Sequence, residues 1–513
     1  MKKLLISLFV LSAALLYVSC EDDSGPDTSL STPSGLAVTS NTDSTVVLSW
    51  TDNSSAEAGF KIDRSVEETT GFANVGSVGP DITTYTDKDL KQQTTYYYRV
   101  YGYEGSDQSE YSATVTVKTG EKYYGSFDIQ TTMTLDAGAD ANAEIIRMVP
   151  GSETQAVFVS SAINRLTVID YTETSFSFGA TYDLDPGSAT AEMTSLDVSP
   201  LIGGENYVAV CVAEADCGKG KILFVKLSDG TIVKEVEVGY NPDGAAFTKN
   251  GSHLIVACED DREDRPCKPE DRLGGSVSII DLSGGIANAT LAQDYLVNWD
   301  DESEPEHAET SADGTVIVSV QETSQIMIFN VADVPLDASK VTIVDLPESS
   351  AGEKAEPDGL YISPDGKYAL ISSERNGTLQ MMSLPDGALL GDPYIVEADI
   401  PAPPYNIDAR KSKKRTEPEE CSLVTKSDKL YAVLALQESH GVIVYDVTDP
   451  ANPVFDSIAP AGDLDAVSGD VGMEKSEIGS EGLGMHQTNG VAFSANERQG
   501  SITMFTSLWG RDK

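Results

Sequence analysis

One phrase recurs seven times across residues 121–513, and it limits the folds open to this chain more than any other feature. The clearest copy opens Glu356-Pro357-Asp358-Gly359, continues as an alternating strand, and turns at Pro364-Asp365-Gly366. It returns as the apolar strand Tyr368-Ala369-Leu370-Ile371-Ser372-Ser373, ends in Glu374, and turns at Asn376-Gly377 into a third strand. An Asp-Gly pair between two apolar runs is a strong hairpin signal, since tight hairpin turns need residues that tolerate positive φ. The phrase returns around Asp243, Glu306, Glu419 and Glu481, with weaker copies around Glu144 and Ser195. These seven anchors are separated by 51, 48, 63, 52, 61 and 62 residues. Each interval has room for four short strands, and units that cannot bury both faces alone must stack. The expected fold is therefore all-β, with a seven-bladed β-propeller over 121–513.

A second position recurs at the end of the second strand of each unit. It is Ser160, Glu214, Glu259, Glu322, Glu374, Glu438 and Glu497, lying 16 residues after the first position in five units and 19 in two. In a propeller blade the first strand runs along the central channel and the second returns, so these two positions share one face. The spacing thus predicts a carboxylate rim. Asp243, Glu306, Asp358, Glu419 and Glu481 are the expected metal ligands, with Glu259, Glu322, Glu374, Glu438 and Glu497 beside them. Like charges this close raise one another's pKa unless a cation or hydrogen-bond donors compensate. An all-oxygen rim suits calcium, which takes about six to eight oxygen ligands. Caps on backbone N–H groups in each turn are the competing role for the same carboxylates.

Composition narrows the partners. The chain has 82 acidic against 35 basic residues, a formal net charge of −47. That balance argues against nucleic acid and anionic lipid surfaces, both of which need cationic faces. One segment departs from it: Arg410, Lys411, Lys413, Lys414 and Arg415 place five cations in six residues just before Glu417. This cluster is expected near the rim, as a charge neutraliser or as an anion-binding group for a phosphate. The charged loop Asp260 to Gly275 is expected to overhang the same face, near His307 and His440. Cys211, Cys217, Cys258, Cys267 and Cys421 allow disulfides, with a Cys258–Cys267 link as one option, but spacing does not fix the pairing. No Gly-x-Ser-x-Gly, His-Glu-x-x-His or phosphate-loop motif is present.

The N-terminal quarter reads differently. Lys2 and Lys3 precede an apolar run from Leu4 to Val18, too short to span a bilayer comfortably and typical of a cleaved targeting segment over 1–19. Leu16-Tyr17-Val18-Ser19-Cys20 resembles a bacterial lipobox, which implies a lipid on Cys20. The following Glu21-Asp22-Asp23 resembles the surface-export signal of Bacteroidetes-type lipoproteins, which implies an outer-membrane, cell-surface location. Residues 20–32 are polar and read as an acidic tether. From 33 to 119, short alternating strands such as Thr45-Val46-Val47-Leu48-Ser49-Trp50 predict a β-sandwich. Pro33, Trp50, the strand Phe60-Lys61-Ile62-Asp63-Arg64, and Leu90 with Thr94-Thr95-Tyr96 resemble a fibronectin type III domain.

The repeat itself resembles the choice-of-anchor I propeller domain. The resemblance is carried by Gly239-Tyr240-Asn241-Pro242-Asp243-Gly244, by Glu304-Pro305-Glu306, by Glu417-Pro418-Glu419 and by Ser480-Glu481-Gly482-Leu483. It implies an extracytoplasmic propeller held to the cell by an anchor, here the lipid on Cys20. Alkaline-phosphatase-like and calcium-dependent phytase-like propellers are similar, which implies calcium and a phosphate ester. Three readings stay open at this point. One is a surface lipoprotein whose rim binds calcium and a small-molecule, phosphate-ester or glycan ligand. Another is a calcium-dependent phosphomonoesterase. The last is an adhesive protein that uses only the sandwich module. A monomer without nucleic-acid partners is expected in each.

Overall fold

The structure is a computed structural model. It describes residues 30–506 apart from 42–44, 89, 91–93, 120–127, 136–141, 189, 215–217, 260–274, 298–302, 349–351, 401–415, 427, 440 and 463–478. The targeting run, Cys20, Cys217, Cys267, His440, the Asp260–Gly275 loop up to residue 274 and the Arg410–Arg415 cluster therefore lie outside the described residues. No helix among the described residues is long and apolar enough to cross a membrane. The chain divides into two compact units, Met1–Tyr123 and Tyr124–Lys513.

The first unit is a β-sandwich. One sheet joins Ser34–Asn41, Val46–Thr51 and Thr84–Asp87; the other centres on Gly59–Ser65 and Thr95–Glu104. Alternation explains the layering: Val46, Leu48 and Trp50 point inward at period two, and Phe60, Ile62, Tyr98 and Val100 meet them from the facing sheet. Trp50 stands edge-on to Phe60 with ring centroids 5.6 Å apart. The Tyr98 hydroxyl donates to Asp87 at 2.8 Å, and Asp87 also pairs with Arg64 at 2.8 Å.

The second unit holds seven four-stranded sheets among the described residues. They occupy 146–183, 191–237, 242–296, 305–345, 357–395 and 418–460, and the last combines 480–506 with Asp128–Thr134. The first strands of successive sheets pack side by side, and Ile146–Met148 packs on Ser480–Met485, so the ring closes. Asp128–Thr134 completes the last sheet against Ser501–Thr506, joining distant parts of the chain within one sheet. Among the described residues, all seven hydrophobic clusters of this unit span two neighbouring sheets. Leu196 and Leu223 of the second sheet pack with Val157 and Leu166 of the first, for example, and Phe493 of the last with Phe158 of the first. Second strands are consequently apolar on both faces; every residue of Thr315–Val320 is buried. The core is a cycle of interfaces rather than a single centre.

Two devices let the first strands approach. Gly244, Gly359 and Gly482 lie where a Cβ would collide with the carbonyl oxygens of Glu306, Glu419 and Glu144 in the next sheet. Side-chain hydroxyls then bond across the same step: Ser319 Oγ donates to Asp358 O at 3.1 Å, and Ser372 Oγ to Glu419 O at 2.7 Å.

Candidate cation-binding rim

The recurring acids occupy β-bulges. The ladder between first and second strands shifts register between Pro242 and Gly244, Pro305 and Ala308, Pro357 and Leu360, Pro418 and Cys421, and Ser480 and Gly482. The acid of each unit falls in that shift. A bulge adds one residue opposite the partner strand and re-aims its side chain. Asp243, Glu306, Asp358, Glu419 and Glu481 thereby converge with Glu144 on one cavity of about 230 Å³. Glu192, Glu420 and Glu497 line it too, and among the described residues no lysine or arginine does.

The register of the second position differs from the spacing argument. In five sheets the amide after the second strand donates to the carbonyl two residues before the bulge acid. The pairs are Glu259 to Asn241, Gln321 to Glu304, Glu374 to Glu356, Gln437 to Glu417 and Glu497 to Gly479. Gln321 and Gln437 thus hold the equivalent places, and Glu322 and Glu438 lie one residue further on. Glu438 forms an ion pair with Arg498 at 2.5 Å. In the second sheet the bulge falls between Met193 and Ser195, which makes Thr194, not Ser195, the counterpart of the acids. The physical reason is loop length: counting residues between anchors cannot tell a longer turn from a longer strand.

Two groups of three carboxylates have oxygens within 4.8 Å of one another: Asp243, Glu259 and Glu306, and Glu374, Glu417 and Glu419. Both join the second-position glutamate of one sheet to the bulge acid of the next. Burial first, then neighbouring carboxylates, holds Glu306, Glu419 and Glu481 well above the usual carboxylate range. Burial pushes Glu144 up to about 8, against hydrogen bonds from Ser161 and Asn142. Glu306 Oε2 and Glu481 Oε2 are shielded from solvent and accept no hydrogen bond. Glu306 is thus both clustered with other carboxylates and without a donor on one oxygen, an arrangement that a hard divalent cation could satisfy.

A second chamber, about 460 Å³, lies further along the same strands. Three residues beyond Glu144, Glu306, Asp358 and Glu419 stand Arg147, Glu309, Tyr361 and Ser422, and three beyond Thr194 stands Asp197; all line it. Arg147 pairs with Glu420 at 2.6 Å and Lys249 with Glu309 at 2.7 Å. Burial raises Asp197 to about 6, opposed by Arg147 and by the Phe247 amide. His307 and Glu420 border both cavities, and burial lowers the His307 pKa so that its ring is neutral near pH 7. Sequence reasoning missed this tier. The three-residue offset shared by those four acids could have revealed it.

Cysteine chemistry is absent from the described core. Cys211, Cys258 and Cys421 are free and buried, and Cys267, the partner considered for Cys258, lies outside the described residues. Burial raises Cys258 to about 12, which leaves it an inert thiol.

Residues 144–388 match the choice-of-anchor I domain, and residues 31–118 match the fibronectin type III domain. No curated protein matches the chain. Solved structures similar to it include hydrazine synthase of Kuenenia stuttgartiensis, at 14% identity over 73% of this chain and 98% of that one, TM-score 0.49. An inactive variant of virginiamycin B lyase from Staphylococcus aureus with quinupristin is 12% identical over 74% and 99%, TM-score 0.47. A β-propeller domain from Myceliophteria thermophila is 11% identical over 74% and 99%, TM-score 0.47.

Proposed function

We propose that this choice-of-anchor-I-like propeller works outside the cell, held to the outer membrane by a lipid on Cys20, and that its carboxylate rim binds calcium together with an extracellular ligand. One observation carries the reading: Glu306 Oε2 and Glu481 Oε2 are buried without donors inside a ring of like charges. Removing a carboxylate from water without compensation costs several kcal/mol. A cation shared among bulge acids of neighbouring sheets repays that cost and leaves coordination positions open toward the cavity. Calcium fits because its oxygen shell tolerates irregular geometry. A ligand with its own oxygens, such as a phosphate ester or a glycan, can complete that shell.

The test is the unfolding temperature of the full chain with calcium and with chelator, alongside hydrolysis of p-nitrophenyl phosphate and phytate. A calcium-dependent rise without turnover supports a binding protein. Calcium-dependent turnover transfers the same rim to a phosphomonoesterase, a reading whose anion site, Arg410 to Arg415, lies outside the described residues. Equal unfolding temperatures in both conditions would remove the cation from the account.

A further inference from the structure

We propose that the sandwich unit carries a divalent-cation site of its own, formed by Asp52, Glu57 and Asp81. The three come from separate places in the chain. Asp52 directly follows the strand Val46–Thr51, Glu57 precedes the strand Gly59–Ser65, and Asp81 sits in the turn between Ala73–Val78 and Thr84–Asp87. The fold nevertheless brings a carboxylate oxygen of each within 4.8 Å of the others. Backbone bonds hold the two loops in place: the Trp50 amide donates to Thr83 O at 3.0 Å, and the Ala58 amide to Tyr103 O at 2.8 Å.

Glu57 supplies the independent sign of a ligand. It is 9% exposed, and its Oε2 is shielded from solvent with no hydrogen-bond donor. Among the described residues no lysine or arginine forms an ion pair with any of the three acids, and Asp52 Oδ1 accepts one hydrogen bond, from the Ser54 amide at 2.8 Å. A packed sandwich does not need this arrangement, since glutamine at 57 would fill similar volume without the charge. Three carboxylates at this spacing supply up to about six oxygens, and water completes the shell of a calcium ion. Asp52 is partly exposed and Asp81 is exposed, which leaves the ion a route in. Binding would clamp loops 52–58 and 79–83 together and stiffen one end of the module where extracellular calcium is available.

Hydrogen exchange of the full chain, read peptide by peptide, separates this site from the propeller rim. At free calcium ten times the dissociation constant, amides of 52–58 and 79–83 should exchange about tenfold more slowly than with chelator. Glu57→Gln should abolish that slowing, and Glu306→Gln with Glu419→Gln should leave it intact. Asp81→Asn, at an exposed position, is the second variant if Glu57→Gln loosens the sandwich, as judged by exchange in Gly59–Ser65 and Thr95–Glu104. Identical exchange in these loops with calcium and with chelator overturns the proposal, and so does slowing that survives both substitutions.

Discussion

Glu259 closes the second strand of one sheet, and its carboxylate lies within 4.8 Å of that of Glu306, the bulge acid of the next sheet. The same step relates Glu374 to Glu419. At the intervening sheets the equivalent positions are Gln321 and Gln437, and Gln321 Nε2 donates to Glu374 Oε2 at 3.2 Å. Glutamate and glutamine therefore alternate from the third sheet to the last. An unbroken glutamate ring would add like-charge repulsion at every step, whereas an amide donor between two acids relieves it.

Replacing Glu306 and Glu419 together by glutamine should stabilise the calcium-free chain by about 1–3 kcal/mol, because the substitution removes two buried carboxyl groups that must either stay charged among like groups or take up a proton on folding. The same pair should shrink the calcium-induced rise in unfolding temperature. Calorimetry with and without chelator checks both. An undiminished calcium response in the double variant would place the cation elsewhere.

The rim also fixes the sign of the pH dependence. Glu144 titrates near 8 in the folded chain, and burial raises Glu306, Glu419 and Glu481 too. Their unfolded pKa is near 4.3. Between these values the native chain holds more protons than the unfolded one, so its stability falls as pH rises. Calcium-free protein should resist denaturant better at pH 5.5 than at pH 8.5. Saturating calcium, which holds these groups ionised, should flatten the slope. Denaturation midpoints at three pH values are sufficient to see it.

Gly359→Ala should be among the most damaging small substitutions. Its Cβ would meet the carbonyl of Glu419 and the Ser372 hydroxyl that donates to it, at the approach of two first strands. Backbone cannot yield there without opening the ring, and overpacking of this kind costs about 1–3 kcal/mol or more. Gly366→Ala is the contrast by space: its Cβ would enter open solvent, although its φ of 73° still adds local strain. Denaturant midpoints of the two variants should rank Gly359→Ala as the less stable.

Arg147→Met should cost about 3–5 kcal/mol by leaving Glu420 buried without its cation. Adding Glu420→Gln should recover much of that loss, since no bare charge remains. A double-mutant cycle measures the coupling. Additive losses would mean that the pair does not hold the channel together.

Much of this protein is written in local pattern. Seven recurrences of one phrase determine four-stranded units, and Val46, Leu48 and Trp50 at period two determine an inward face in the sandwich. Alternation and turn chemistry are properties of single strands, so a linear reading finds them. The meeting of strands is different. Gln321 rather than Glu322 follows the ladder because the turn between the strands is one residue shorter than the spacing assumed, and a one-residue slip reverses a side chain. The chamber around Arg147 and Glu420, the buried thiol of Cys258, and the grouping of Asp52, Glu57 and Asp81 all depend on contacts between distant segments. Sequence determined the strands and the acids they carry. Hydrogen-bond register and ring closure decided which of those acids face one another.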